Sequence, residues 1–223
     1  MNNQQLLAAP LGADLTTLLR QQILSGALSA EERIYPKDLE ARYGVSHIPI
    51  REAMRTLAAE GLVVYEPRKG ARVAGLSRSQ LQEVYRLRRF LEPPLAALAA
   101  QARSELHLQT ARAEYKRMNQ TGTGDLESFL ACHASFHWAL LNVDLGPLTV
   151  SILNQTSNIS ERYVRLGFAA FQIDDRAQHD HAELMSAFEE QDGVRMAAGL
   201  EKHLHVIEDT LTEFIDKESY GGA

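Results

Sequence analysis

The sequence predicts a mainly α-helical protein: an N-terminal winged helix-turn-helix, followed by an antiparallel all-helical bundle of six or seven helices. Three observations support this fold class. Two short amphipathic segments within residues 36–61 are separated by a tight break at Gly44. Two short β-like runs then flank a turn that contains Pro67 and Gly70. From Gln80 onward, apolar residues recur only at helical spacing.

Composition and charge limit the classes of partner. The 223 residues contain no apolar run near the roughly 18 residues of a membrane span. The N-terminus does not resemble a signal peptide, and Cys132 is the only cysteine, so we expect a cytoplasmic protein with no membrane partner. Residues 1–76 hold nine Lys/Arg and eight Asp/Glu, and the remainder holds fourteen and twenty-one. The net charge of -6 therefore belongs to the second part, and the first part can still approach phosphate.

The first predicted domain covers residues 1–76 and begins with a polar leader, residues 1–12. Asp14 is expected to cap the first helix, which ends near Gly26. That helix carries four apolar residues on one side: Leu15, Leu18, Leu19 and Ile23. A second helix, about 36–43, has Pro36 at its start and Gly44 as its stop.

A third helix, between Ser46 and Gly61, is the one that a DNA major groove accepts. Ser46 can cap it with its hydroxyl, Pro49 fits its first turn, and Gly61 can end it in a left-handed conformation. Its core-facing residues are expected to be Ile50, Ala53, Met54 and Leu57. Three basic residues fall four apart on another face: His47, Arg51 and Arg55. The alternative is an ordinary solvated helix face.

The wing is predicted from two strands at about 62–65 and 72–74. Arg68 and Lys69 lie at the tip of this hairpin. Their positive charges are available to the DNA backbone or the minor groove.

The first domain contains the pattern ILSGALSAEERIYPKDLEARYGVSHIPIREAMRTLAAEGLVVYEPRKGARV. This pattern resembles the DNA-binding domain of GntR-type bacterial transcription regulators. The resemblance covers about residues 10–76. It implies that six positions lie at the DNA: Lys37, Ser46, His47, Pro49, Arg51 and Gly70. It also implies that Arg51 reads a base, with guanine offering two acceptors. His47 stands where arginine is usual, and Ala30-Glu31 replaces the usual Pro-Gly, a change expected to alter only the local turn.

The second predicted domain, residues 80–217, follows a linker at 77–79 and precedes a tail at 218–223. Its helices are expected at about 80–102, 106–119, 125–142, 146–166, 174–190 and 192–217. The Pro93-Pro94 pair should kink the first of these helices or divide it in two. Asp125, after the Gly-rich turn TGTGD, and Asp192 are expected to cap the third and last helices.

Four histidines in this acidic bundle form a candidate metal site: His133, His137, His181 and His203. They come from three predicted helices and can converge in the bundle interior. Imidazole suits zinc, nickel, copper or iron(II), so spacing alone does not choose the metal. The alternative for each is a hydrogen-bonded core residue. His179 and His205 lie two residues away and are expected to be exposed.

The stretches HASFHWALL and HAELMSAFEEQDGVRMAAGLEKHL resemble the all-helical effector domain, FCD, of the FadR-like branch of the same family. The resemblance covers about residues 80–217. It implies a divalent transition metal, zinc first with nickel or iron as alternatives, held by the same four histidines. His133 stands where a carboxylate is usual. Four neutral imidazoles leave more positive charge at the ion, which favours an anionic ligand.

The resemblance also implies a small organic or sugar acid as effector. Arg88 matches a family position that can face the pocket, and Arg162 and Arg165 are weaker candidates. The alternative for Arg88 is a surface pair with Glu92 at i,i+4 spacing.

These expectations combine into a DNA-binding regulator, a repressor rather than an activator, that is not an enzyme. It would bind double-stranded operator DNA as a homodimer, with a small carboxylate controlling its affinity. One alternative keeps the regulator but gives the metal a purely structural role. A second is a helical-bundle metalloenzyme, against which HASFH contains no carboxylate to act as a base.

Overall fold

The computed structural model describes residues 12–66, 70–121, 125–170 and 175–221. Side chains are not described at 12–14, 168–170, 175–179 and 217–221. The predicted leader, the Asp14 cap, the Arg68 and Lys69 wing tip, and most of the Gly-rich turn therefore lie outside the described residues. The chain divides into two compact units, Met1–Leu76 and Ser77–Ala223. Across the described residues, no helix is both long enough and apolar enough to cross a bilayer.

The first unit contains three helices and a small sheet within its described residues. In chain order they are α1 (Gly12–Leu24), β1 (Arg33–Ile34), α2 (Pro36–Tyr43), α3 (His47–Ala59), β2 (Val63–Glu66) and β3 (Gly70–Val73). The sheet order is β1-β3-β2, and both pairings are antiparallel. The three helices and the β2–β3 wing confirm the predicted winged helix-turn-helix. The sequence did not predict β1, because two residues are too few to show alternation.

The core of the first unit holds α3 so that its basic face points outward. Ile50, Ala53, Met54 and Leu57 are all buried, as their spacing predicted. They pack with Leu15, Leu19 and Ile23 of α1 and with Leu39 of α2 in one hydrophobic cluster. One side of α3 is thereby fixed against the unit, and the opposite side is exposed.

The two ends of α3 differ in how well the sequence predicted them. Gly61 has φ of 73°, and the amide of Leu62 donates to the carbonyl of Leu57 at 2.9 Å, so the left-handed end is confirmed. Ser46 lies at the N-cap with extended backbone, but its hydroxyl makes no capping bond, contrary to the prediction. A capping hydroxyl bonds the amide two or three residues into the helix. The third residue of α3 is Pro49, which has no N–H to donate to the Ser46 hydroxyl.

The turn before β1 shows that the Ala30-Glu31 replacement reaches further than expected. Glu31 adopts φ of 67°, a conformation that favours glycine. Its carboxylate lies 2.6 Å from the guanidinium of Arg72 on β3, which also pairs with Glu66 at 2.7 Å. A Cβ atom on Gly75 would lie 2.0 Å from the same carboxylate. Glu31 therefore joins the turn to the sheet.

The second unit contains six helices in its described residues, the lower of the two predicted numbers. They are α4 (Arg78–Ala102), α5 (Glu105–Thr121), α6 (Leu126–Leu141), α7 (Pro147–Ala170), α8 (Asp175–Glu189) and α9 (Gly193–Gly221). The predicted linker at 77–79 is the start of α4, since the Ser77 hydroxyl accepts from the amide of Gln80 at 3.2 Å. The predicted tail is also helical as far as Gly221.

Two local predictions in the bundle have opposite outcomes. Asp125 caps α6 as expected, because its carboxylate accepts from the amide of Ser128 at 3.2 Å. Pro93 and Pro94 do not divide α4, which runs through both as one helix of 25 residues. Pro93 is buried, so packing in the bundle holds the backbone helical despite the missing donors.

Candidate functional site

Four imidazoles from three helices meet inside the second unit. His133 and His137 lie one turn apart on α6, His181 is on α8, and His203 is on α9. Their ring centroids are separated by 4.4 to 6.4 Å. One ligand nitrogen from each ring lies within 4.8 Å of the other three. The structure therefore brings together the four residues that the sequence analysis named.

The spacing between these nitrogens fits a shared cation better than hydrogen bonding. Nε2 of His137 lies 3.1 Å from Nε2 of His133 and 3.2 Å from Nε2 of His181. A neutral imidazole nitrogen either donates one proton or offers one lone pair, so hydrogen bonding satisfies only one of these two contacts. A cation shared by these nitrogens would instead be met by one lone pair from each ring.

Burial keeps the rings in the form that binds metal. Loss of solvation, together with the smaller effects of the His203 ring and Arg88, lowers the pKa of His133 to about 3. Burial is also the main reason that the pKa values of His137 and His181 are depressed. Because a metal binds only the neutral imidazole, these rings need not lose a proton first at neutral pH.

The depressed pKa values predict that the metal-free protein is less stable in mild acid. In the unfolded chain each imidazole binds a proton below its usual pKa of about 6.5, but the folded rings resist protonation until far lower pH. Stability is therefore lost as pH falls from about 6.5 toward 3. From pH 7.5 to 5.5 the expected loss is on the order of 1 kcal/mol for each ring.

Urea unfolding of chelator-treated protein at the two pH values tests this expectation. Replacing His181 by Gln should remove about one third of the difference in the free energy of unfolding. Replacing His205, which is exposed on α9, should leave the difference unchanged. Equal pH dependence of the wild-type protein and the His181→Gln variant contradicts the expectation.

Asp180 supports the cluster from outside. This buried carboxylate lies 3.8 Å from Nδ1 of His203 and 3.0 Å from the ammonium of Lys202. The His203 ring, and then Lys202, hold the pKa of Asp180 down to about 2. A carboxylate beside one ring nitrogen favours a proton there and leaves the other nitrogen free for a metal.

A cavity of about 370 Å³ adjoins the imidazoles. His133 and His137 form part of its wall, and Trp138 contributes an aromatic ring. The wall also has five neutral polar side chains: Ser135, Asn154, Ser157, Asn158 and Ser160. A ligand here would meet hydrogen-bonding groups on α6 and α7 next to the imidazole cluster.

Arg88 both lines this cavity and pairs with Glu92. The two groups form two hydrogen bonds, of 2.6 and 3.1 Å, and Arg88 also donates to the Ser160 hydroxyl at 2.9 Å. Glu92 is only 1% exposed, so this is a buried pair and not the surface pair considered from the sequence. The attraction of Glu92 raises the pKa of Arg88 despite burial of the guanidinium.

Arg165 is placed differently from Arg88. It is not among the residues that line the cavity. Its guanidinium pairs with Glu161, at 2.9 Å, and with Glu127. It can act on a ligand only through Glu161, which does line the cavity. Arg162, the other weak candidate, is buried.

The sequence analysis missed the polar wall on α7. Asn154, Ser157, Asn158 and Glu161 recur at spacings of three and one, which places them on one helix face. A polar stripe on a helix usually faces solvent. Neither the position of this stripe at a cavity nor the burial of Glu92 could be predicted from the sequence, because both depend on packing between helices.

A basic face lies on α3 in the first unit. Its exposed residues include His47, Arg51 and Arg55. Burial raises the pKa of Tyr65 on β2, and the nearby charges of Arg55 and Arg51 offset part of that rise. The ion pairs recorded among residues 12–66 and 70–76 join Arg20 to Glu60, His47 to Glu40, and Arg72 to Glu31 and Glu66. None of these pairs includes Arg51 or Arg55.

The other predicted DNA-binding residues that the structure describes lie at the start of α2, before and within the first turn of α3, and at the start of β3. Lys37 at the start of α2 and Ser46 before α3 are exposed, and Pro49 is half-buried. Gly70 begins β3 with φ of 88°, a conformation that L-residues rarely adopt. Lys69 lies outside the described residues.

Comparison with known proteins identifies both units. Residues 11–73 match the family "Bacterial regulatory proteins, gntR family", and residues 83–206 match the FCD domain. The chain is 22% identical to the HTH-type transcriptional repressor RspR of Escherichia coli over 94% of this chain and 92% of that protein. It is 24% identical to a probable D-xylose utilization operon transcriptional repressor of Paenarthrobacter nicotinovorans, over 85% and 84% of the two chains.

A solved structure supports the same fold. The structure of E. coli McbR/YncC superimposes with a TM-score of 0.78 at 21% identity and covers 92% of this chain and 98% of that one. The described helices and wing, the two family matches and the similar repressors agree with one another. The chain belongs to the gntR family of bacterial regulatory proteins, in the branch whose DNA-binding domain is followed by an FCD domain, and it is a transcription regulator.

Proposed function

We propose that the protein is a repressor whose affinity for operator DNA is controlled by a small carboxylate bound beside a metal ion in the FCD domain. The observation that carries this proposal is the position of His133 and His137, which belong both to the imidazole cluster and to the cavity wall. A metal held by the four histidines would therefore face the cavity. When bound, such an ion supplies an electrophilic centre that attracts an anionic oxygen.

Zinc is the proposed metal, with nickel and iron as alternatives. Four neutral nitrogen donors suit a borderline transition metal better than calcium or magnesium, which prefer oxygen. Asp180 beside His203 gives the cluster the outer carboxylate that imidazole ligands commonly have.

The charges around the cavity explain why a metal should be needed for an acid to bind. Without an ion the wall carries one formal positive charge, on Arg88, and two negative charges, on Glu92 and Glu161. Glu92 also holds the guanidinium of Arg88 with two hydrogen bonds. Glu161 is likewise paired with Arg165. The metal-free wall therefore offers a carboxylate little attraction, whereas a divalent ion would add two positive charges.

The class of acid is proposed from the uncharged part of the wall. Five hydroxyl and amide side chains can exchange hydrogen bonds with ligand hydroxyl groups. A short hydroxy acid or sugar acid satisfies these groups, whereas an alkyl chain would leave them unpaired. Arg88 and Glu161, which also line the cavity, would orient such a ligand.

Metal-dependent acid binding is the expected result of titration calorimetry with glycolate, lactate and gluconate. Zinc-loaded protein should bind at least one of these acids, and chelator-treated protein should bind it at least about tenfold more weakly, because the two positive charges of the ion are then missing. Equal binding in the two forms contradicts the proposed role and favours a structural metal. Binding of none of the acids by the loaded protein contradicts the proposed ligand class.

DNA binding is proposed to occur through a homodimer, with α3 of each copy in a major groove of a two-fold related operator. The α4 helix offers a surface for pairing: Leu87, Phe90 and Leu98 are exposed on it, Phe90 to 71%. A contiguous apolar stripe of this kind is costly in water and favours burial against a second copy. Location in the cytoplasm is part of the same proposal.

The effector must prefer one arrangement of the regulator, since a ligand with no preference shifts nothing. Release from DNA on acid binding is the proposed direction. The family assignment gives no support to the alternative of a bundle metalloenzyme.

A further inference from the structure

Ile48 is an exposed apolar residue on a face that is otherwise polar and basic. It lies in the first turn of α3 and is 64% exposed. The apolar side of the same helix, which faces the core, starts at Ile50, so packing within the unit does not account for Ile48. A single exposed isoleucine is unremarkable on a protein surface in general. The exposure of Ile48 is informative because of the residues that lie next to it on the helix.

The neighbours of Ile48 are the residues proposed to enter the major groove. His47 precedes it, and Arg51 follows three residues later on the same exposed face. Side chains three apart on a helix have Cβ atoms about 5–6 Å apart. Base pairs in a duplex are stacked about 3.4 Å apart. The Cβ separation corresponds to about two base-pair steps, so Ile48 is expected to face a base within about two pairs of the one that Arg51 reads.

The chemistry of isoleucine leaves one partner on a base edge in that groove. Its side chain neither donates nor accepts a hydrogen bond, so it gains nothing from the polar atoms of guanine, cytosine or adenine. Thymine alone presents an apolar group there, the 5-methyl. Contact between this methyl group and the isoleucine side chain removes apolar surface of both from water.

We propose that Ile48 is a specificity-determining residue that recognises the 5-methyl group of a thymine within two base pairs of the base read by Arg51. The inference rests on the proposed binding of α3 in the major groove. One such thymine is required in each half of a two-fold operator. His47 and Arg51 supply polar contacts, and Ile48 supplies an apolar contact that requires the 5-methyl group of the base.

The test begins with selection of binding sites from a random duplex library by the full-length protein. The sequence selected by the wild-type protein should contain a thymine close to the position that the Arg51→Ala variant no longer selects. The Ile48→Ala variant should lose preference for that thymine alone. The matched control is Thr56→Ala, an exposed substitution two turns along α3, and it should select the wild-type sequence.

Deoxyuridine then isolates the methyl group, since it differs from thymidine only by that group. Replacing the selected thymine by deoxyuridine should weaken wild-type binding about fourfold for each half-site, the effect of about one buried carbon. The two half-sites together give about fifteenfold. Binding of the Ile48→Ala variant should not change on the same replacement.

Two results overturn the inference while leaving the regulator intact: a selected sequence with no thymine in that range, or an equal effect of deoxyuridine on wild-type and Ile48→Ala protein. Selection of no sequence at all by the wild-type protein is a different failure. That result overturns the proposed operator binding, and the role of Ile48 falls with it.

Discussion

The His203→Gln variant is expected to lose its metal ion, whereas His205→Gln keeps it. Both residues lie on α9 and differ by two positions, but His203 is buried in the imidazole cluster and His205 is exposed. Removing one of four nitrogen donors should weaken zinc affinity by on the order of 100-fold or more, since even outer partners of a ligand contribute 10–100-fold. Elemental analysis and competition with a chelator measure the loss.

Thermal unfolding gives a second measure of the same loss. At a zinc concentration of about 1,000 times the wild-type Kd, binding stabilises the wild-type protein by about 4 kcal/mol. A variant with a 100-fold higher Kd would gain only about 1.4 kcal/mol at that concentration. For a chain of 223 residues the difference corresponds to about 5–10 °C in Tm.

The metal-free forms of the two variants should have similar Tm values, which shows that the substitution has not disrupted the fold. If His203→Gln fails to fold, His133→Gln replaces it, because His133 faces the cavity and is only half-buried. Equal metal content and equal affinity in the cluster and control variants would contradict a metal site at these four rings.

The Arg51→Ala variant is expected to lose most of its sequence-selective DNA binding. Arg51 is exposed on α3, between His47 and Arg55, and the ion pairs among residues 12–66 and 70–76 do not include it. A bidentate contact from arginine to a base contributes about 1–3 kcal/mol of discrimination. In a homodimer both half-sites lose the contact. The affinity for the selected sequence should therefore decrease by a factor between about 30 and more than 10,000.

A gel shift at fixed salt, with the selected duplex and a scrambled duplex, measures this effect. The matched control is Arg117→Ala, which removes the same charge from an exposed position on α5 of the other unit. A base-reading arginine should reduce binding to the selected duplex far more than to the scrambled one. Retention of full selective affinity by Arg51→Ala refutes the role proposed for Arg51, and an equal loss on both duplexes assigns it to phosphate instead.

Local patterns in the sequence were enough for most of the elements and for the residue types of the site. The apolar spacing of α3 correctly predicted Ile50, Ala53, Met54 and Leu57 as its buried side. Asp125 and Gly61 correctly marked a helix start and a helix end. These features depend on neighbours within about one turn, so they can be read without knowing the rest of the fold.

The four histidines from three helices meet as expected, but most other predictions that depended on distant partners failed or were not made. The strand β1 exists because Arg33 and Ile34 pair with β3, some forty residues later. Glu31 adopts its unusual backbone while its carboxylate reaches Arg72 and lies over Gly75. Continuity of α4 through Pro93 and Pro94 likewise depends on packing that no local rule describes.

By itself, then, the sequence determined the helical architecture, the basic face of α3 and the four histidines of the cluster, because these depend on helical periods and on motifs of a few residues. Only the tertiary structure decided that two of those imidazoles, on His133 and His137, belong to the wall of a cavity, that Arg88 is held by a buried Glu92, and that Arg165 is not among the residues that line the cavity. The reason is that a helix period sets the direction of a side chain relative to its own axis. Which atoms it meets depends on the packing of helices that are far apart along the chain.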